Sequence, residues 1–286
     1  MLQITPYPDE TYYSWICRII QQLPEFQKNP ERTIKQKGYS VIPAASIYFP
    51  HNTEIVTDNI EITEEELLKH IKTMDMSPLF LLGVNNSIIH SYKQQTIPST
   101  DMIMKLINRI QANKRLRICP LCAKEDINAV GEPYFHVEHH IPFYPYCNKH
   151  NTQTTGWHTI DYTPASQLYD ERLPENHIDI PQDVKAVYES AQIIIRDKAI
   201  PTIESLEQYI QTQMEEQTQN ELRPTRLKEY MNKQMEIYTE FIKGRQYNKR
   251  HAFIKTALGS PVQILITIQI LQQYKMQTKK ETNETR

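Results

Sequence analysis

Residues Tyr134–His150 read YFHVEHHIPFYPYCNKH, and two parses compete for them. In one, the neighbouring histidines His136, His139 and His140 hold a cation and activate water, which would make the chain an enzyme. In the other, Cys147-Asn-Lys-His150 is one half of a structural metal site and the histidines only brace it. The choice falls to residues outside the stretch.

Upstream lies Cys119-Pro-Leu-Cys122, a second pair at the same two-residue gap, with twenty-four residues between the half-sites. Structural zinc sites draw four soft or borderline ligands as two such pairs, because a two-residue gap lets both side chains of a turn face one ion. The expected ligands are therefore Cys119, Cys122, Cys147 and His150, around one structural zinc per chain. That assignment weighs against the catalytic parse. The EHHIP core is similar to the metal-and-base strand of HNH nucleases, whose motif also needs a downstream asparagine and histidine. Only Asn148, His150 and Asn151 are on offer, and His150 would have to do two jobs. An HNH-type nuclease stays the weaker alternative. His136 and His139 are then expected to brace the zinc loop or to contact a DNA backbone. Cys17, set among Ile16, Ile19 and Ile20, reads as core, and His70 and His90 as packing or surface residues.

Outside this region the 286 residues read as helix. Asp9 is placed to cap a helix carrying Tyr12, Ile16, Ile19 and Leu23 on one stripe. Thr63-Glu64-Glu65-Glu66 is a capping box ahead of Leu67, Leu68 and Ile71. Met102, Leu106, Ile107 and Ile110 make a third helix, ending in the basic Lys114-Arg115-Leu116-Arg117. From Ile118 to Trp157 no helical period is visible, and short strands are expected there. A proline-punctuated connector, Tyr162–Pro181, marks a domain boundary. Beyond it Ile203, Leu206, Ile210 and Met214 fit one helix, and Leu227, Met231, Tyr238 and Ile242 another. Ser260-Pro261 opens a last one, Val262–Tyr274. The expected fold is mainly α: a helical N-terminal domain (1–165) with a small zinc finger of short strands and loops (119–150), then a helical domain (166–275) compatible with a helix-turn-helix, then a disordered tail (276–286).

Six glycines and no phosphate-binding glycine loop exclude nucleotide use by the known loop motifs. No basic segment followed by an apolar core opens the chain, and the longest apolar run is far short of the ~20 residues that span a bilayer, so a cytoplasmic, membrane-free protein is expected. The net charge of -2 hides an asymmetry. Ala199–Leu222 holds five glutamates and no cation; Arg223–Lys255 holds nine cations against three glutamates. A basic run of this kind favours phosphates. A charge run is more often a solvated face than a contact surface; read as a contact, this one meets double-stranded DNA through Arg223, Arg226, Lys228, Lys233, Arg245, Lys249 and Arg250, with Lys114, Arg115 and Arg117 beside the finger.

PYPDETYYSWICRI, from Pro6 to Ile19, resembles the opening of TniQ/TnsD proteins, the target-selection subunits of certain bacterial transposons. The shared positions are Pro8, Glu10, Tyr13, Ser14 and Arg18. The resemblance continues through Cys119-Pro120-Leu121-Cys122 with Glu125 and Asp126. It then runs through Gly131, Glu132, Tyr134, Phe135, His136, His139, His140, Pro142, Cys147 and His150. HIKTMDMSPLFLL is similar to a short family motif ahead of the finger. Val137, Phe135 and Asn148 depart from the family pattern, where arginine, tryptophan and proline stand. The resemblance implies a non-catalytic DNA-targeting adaptor that selects a site, by binding DNA or by docking on an RNA-guided effector complex. It also implies recruitment of an AAA+ ATPase regulator and transposase in the bacterial cytoplasm; a homodimer is compatible with it. A free-standing zinc-containing transcription regulator is the alternative reading.

Overall fold

The computed structural model describes residues 2–197 except 40–45, 52, 83, 85, 96, 98, 100, 103–105, 107–114, 142, 143 and 159–161. Beyond them it describes only Ile200, Ser205, Gln208, Thr212, Ile264, Leu265 and Gln269. The expected helices around Ile203–Met214, Leu227–Ile242 and Val262–Tyr274, the helix-turn-helix and the tail fall almost wholly outside these residues. The elements in chain order are α1 (Tyr12–Gln22), α2 (Pro24–Gln27), α3 (Pro30–Gln36), α4 (Glu54–Thr57), α5 (Glu64–Met74), α6 (Ser77–Phe80), α7 (Asn86–Lys93), β1 (Arg115–Ile118), α8 (Pro120–Val130), β2 (Tyr146–Cys147), β3 (Thr152–Gln153), β4 (Thr155–His158), α9 (Ala165–Leu168) and α10 (Gln182–Asp197). A 3-10 turn at Glu138–His140 lies between α8 and β2. The chain divides into two compact units, 1–77 with 92–179, and 78–91 with 180–286. The finger belongs wholly to the first.

The centre of the first unit is α1. Tyr12, Tyr13, Trp15, Ile16, Cys17, Ile19 and Ile20 are all buried, so this helix is apolar nearly all round, as a central helix must be. It packs on α2 and α4, and Tyr13 meets Phe135 of the finger with ring centroids 5.8 Å apart. Its N-cap is Thr11, whose Oγ1 accepts the Ser14 N–H at 3.2 Å, rather than Asp9. Asp9 stands two residues too early, with a left-handed φ of 58°, and its carboxylate is turned to the finger. The capping box of α5 forms as expected, with Leu67 and Ile71 buried beneath it. Where α5 ends, Asp75 accepts the Ser77 N–H at 2.8 Å and the Tyr92 hydroxyl at 2.6 Å, which turns the chain.

Two features of the finger differ from the sequence expectation. Arg115–Ile118 is a strand, antiparallel to β4 in the register Arg115↔His158 to Ile118↔Thr155, and not a helix end. Pro120–Val130 is a helix inside a segment that shows no helical period. The period is hidden because its buried side is Cys122, Ala123 and Asp126, while the apolar Ile127 and Val130 face outward. Its ends follow ordinary rules: Pro120 at the first turn, and Gly131 at φ 89° as the left-handed C-cap donating to the Ile127 carbonyl.

Candidate metal centre

Cys119 is the N-cap of α8 and Cys122 lies in its first turn, so both sulfurs sit at the positive end of a helix, where thiolates are favoured. Cys147 ends β2. The chain then reverses through Asn148–Asn151, with Asn151 left-handed at φ 50°, and returns as β3 with Thr152 opposite Cys147. This hairpin swings His150 back over the helix end. Thr152 Oγ1 also lies 3.2 Å from the Cys119 sulfur.

The result is one buried cluster. His150 Nδ1 lies 3.5 Å from Cys119 Sγ, 3.3 Å from Cys122 Sγ and 3.5 Å from Cys147 Sγ, and the Cys122 and Cys147 sulfurs are 3.6 Å apart. A tetrahedral thiolate–imidazole site has metal–sulfur bonds of about 2.3 Å and metal–nitrogen bonds of about 2.05 Å. Tetrahedral angles then separate sulfur from sulfur by about 3.8 Å, and sulfur from nitrogen by about 3.5 Å. The donor set therefore fits a metal ion. Thiol chemistry agrees: hydrogen bonds from Cys122 and Cys147 hold the Cys119 thiol well below its ordinary range. The Cys119 contact in turn raises the other two, Cys147 to about 12. Three thiolates this close repel one another, and a divalent cation would offset that repulsion. On the far side of its ring, His150 Nε2 lies 3.2 Å from Glu125 Oε1, the carboxylate–histidine arrangement that fixes a ligand's tautomer. Glu125 also pairs with Lys149. Its part in the site is visible in sequence only as a residue three positions after Cys122.

The histidines of EHHIP are interior groups. His140 is 1% exposed, with Nε2 accepting the Arg117 backbone N–H at 2.9 Å and Nδ1 2.7 Å from the His136 carbonyl. Burial pushes its imidazole down to about 3, so the ring is neutral and both nitrogens are engaged with backbone. His139 is equally buried, and its Nε2 lies 3.7 Å from Cys122 Sγ and 3.5 Å from Glu138 Oε1. With Cys119, Cys122 and Cys147 it forms a group whose ligand atoms all lie within 4.8 Å of one another. His136 braces the fold: Nε2 is 2.9 Å from Asp126 Oδ2 on α8, and Nδ1 is 3.6 Å from Asp9 Oδ2. Burial alone would lower its pKa, but the two carboxylates carry it up to about 9.

The same stretch receives the N-terminal segment. Thr11 N–H donates to the Phe135 carbonyl at 2.8 Å and Val137 N–H to the Asp9 carbonyl at 2.7 Å. Phe135 N–H donates to Ser14 Oγ at 3.2 Å. Arg18 closes the joint, bonding Glu10 Oε2 at 2.8 Å and Glu132 Oε1 at 3.0 Å with its guanidinium 3.5 Å over the Tyr7 ring. Glu10 is 1% exposed, and burial raises it to about 7 even with Arg18 beside it. The Tyr134 hydroxyl also donates to the Pro8 carbonyl at 3.0 Å, so Pro8, Glu10, Ser14 and Arg18 of the opening motif are the seat on which Glu132–Val137 rests.

Of the cations expected to touch DNA, Arg117 is corrected. It is 6% exposed, and its guanidinium donates to the carbonyls of His139, Ile141 and Tyr144, which fixes the turn between the half-sites. Arg115 is exposed on β1. Lys114, Arg223, Arg226, Lys228, Lys233, Arg245, Lys249 and Arg250 lie outside the described residues. Within the finger, Lys124 pairs with Glu175 and Lys149 with Glu125. Between Arg115 and His158, four cations balance four carboxylates, so this face has no basic excess.

Among the described residues no helix is long and apolar enough to cross a membrane. A search of curated proteins finds no significant match. The TniQ family model matches residues 1–153, which take in the opening motif, both half-sites and the joint between them. That span is more than half of the 286 residues, and the chain belongs to the TniQ family.

Proposed function

We propose that this protein is a non-catalytic targeting adaptor of a bacterial transposition system, which selects the target and recruits an AAA+ ATPase regulator and the transposase. The TniQ domain is associated with transposition target selection. One observation carries the reading: the two halves of the family pattern, Pro6–Arg18 and Cys119–His150, form a single unit around the cysteine cluster. In this reading zinc is the ion, one per chain, held by Cys119, Cys122, Cys147 and His150. It fixes the finger's shape and supplies no reaction step. The buried, backbone-engaged His140 favours this over an HNH-type nuclease, whose general base must meet water.

DNA contact is assigned to the basic run from Arg223 to Lys255, because the finger's charges are balanced. The 1–165 and 166–275 division then separates a protein-docking, zinc-bearing part from a DNA-facing helical part. The acidic Glu204–Glu221 segment fits a protein partner, the regulator or an RNA-guided complex. The test is recovery of the tagged protein from its native host under conditions that preserve complexes. Transposition proteins, with or without a guide complex, are expected to come down with it. Recovery with RNA polymerase or promoter DNA alone would favour the transcription-regulator reading.

A further inference from the structure

We propose that the metal centre carries a second imidazole in reserve: His139 takes the fourth ligand position when His150 leaves it. The proposal rests on the metal site assigned above and adds a ligand to it. Three observations converge. A ring nitrogen of His139 and the three sulfurs form a group within 4.8 Å, so a small movement of the ring brings that nitrogen into the ligand set. The ring is 1% exposed and aimed at the cluster, with Cys122 Sγ at 3.7 Å. Its other nitrogen, Nδ1, is buried and has no hydrogen-bond partner among the described residues, so the polar contacts that hold the ring are all at Nε2.

The ring proton decides which histidine binds first. A ligating imidazole must bind through an unprotonated nitrogen and carry its proton on the other. When His150 binds through Nδ1, its proton sits on Nε2, facing Glu125 Oε1 at 3.2 Å. When His139 binds through Nε2, the proton must move to Nδ1, where nothing receives it. His150 has an outer carboxylate at its second nitrogen and His139 has no partner there, so His150 is the resident ligand and His139 the substitute. The protein gains a centre that keeps its ion while the more exposed hairpin histidine is displaced. In the resident state the His139 Nε2–H points at Cys122 Sγ, 3.7 Å away, and so helps to hold the thiolate in place.

The test uses the full chain loaded with Co2+, reading affinity by titration and imidazole scattering by X-ray absorption. His150→Ala is expected to bind one Co2+ with three sulfurs and one imidazole, about 10–100-fold more weakly than wild type because the outer partner is missing. His139→Ala/His150→Ala is expected to lose the imidazole signal and to bind more weakly still. An imidazole-free shell in His150→Ala, identical to that of the double variant, would overturn the proposal. Should His150→Ala fail to fold, the surface variant Glu125→Ala decides, since it removes the advantage of His150 and leaves all five donors. There His139→Ala must weaken Co2+ binding more than it does in wild type; equal losses would overturn the proposal. Wild type that binds no metal would instead remove the underlying site assignment.

Discussion

Replacing His136 by glutamine should make the protein's stability lose one specific pH dependence. The imidazole lies between Asp126 on α8 and Asp9 of the N-terminal segment, and it stacks on Tyr134 with ring centroids 4.3 Å apart. Its pKa is raised from 6.5 to about 9. At about 1.4 kcal/mol per pKa unit, the charged form is worth about 3 kcal/mol to the folded state. Because the folded value lies above the unfolded one, that contribution is complete below pH 6.5 and is lost as pH rises to about 9. Urea unfolding of wild type and His136→Gln, with metal present throughout, isolates it: titration of the thiols is common to both and cancels in the difference. The wild-type advantage is expected to shrink by about 3 kcal/mol between pH 6 and pH 9.5. A gap that stays constant, or a His136 ring signal in wild-type NMR titrating at or below 6.5, would refute the reasoning.

Arg18→Met removes the only cation bonded to the buried Glu10 carboxylate among the described residues and should destabilise the chain by about 3–5 kcal/mol, read by the same unfolding assay. Arg18→Met/Glu10→Gln, which leaves no orphan charge, should recover part of that loss; no recovery would mean that Arg18 acts through packing on Tyr7. Gly131→Ala meets no atom within 4 Å, so its cost comes from the left-handed backbone alone, about 1–2 kcal/mol by thermal or urea unfolding. A neutral result would show that α8 ends differently. DNA binding should weaken steeply with salt, with a shallower slope when Arg223, Arg226 and Lys228 are neutralised; an unchanged slope places the contact elsewhere.

The parts of this protein that sequence made legible are those governed by local rules. The capping box at Thr63 depends on four consecutive residues, and the pairing of CPLC with CNKH on spacing alone. What stayed hidden depends on partners far along the chain. Asp9 looks like a helix cap until His136, over a hundred residues later, claims its carboxylate. Arg117 looks like a surface cation in a basic cluster, yet three carbonyls of the finger turn draw it inward. Helix α8 escapes periodicity because its inner face is built for the cluster, with cysteine, alanine and aspartate where apolar residues would show a stripe. His139 enters the sequence reading only as part of a competing cation site, since it sits at no ligand spacing from either cysteine pair, and the 3-10 turn at Glu138–His140 is what points it at the sulfurs.

The central claim is that a zinc ion on three cysteines and a histidine organises the family domain. X-ray absorption at the zinc edge, on full-length protein purified without added metal, tests it most directly. The account predicts one zinc per chain in a shell of three sulfurs at about 2.3 Å and one imidazole nitrogen at about 2.05 Å. A protein without stoichiometric zinc, or a shell of oxygen and nitrogen only, would contradict it.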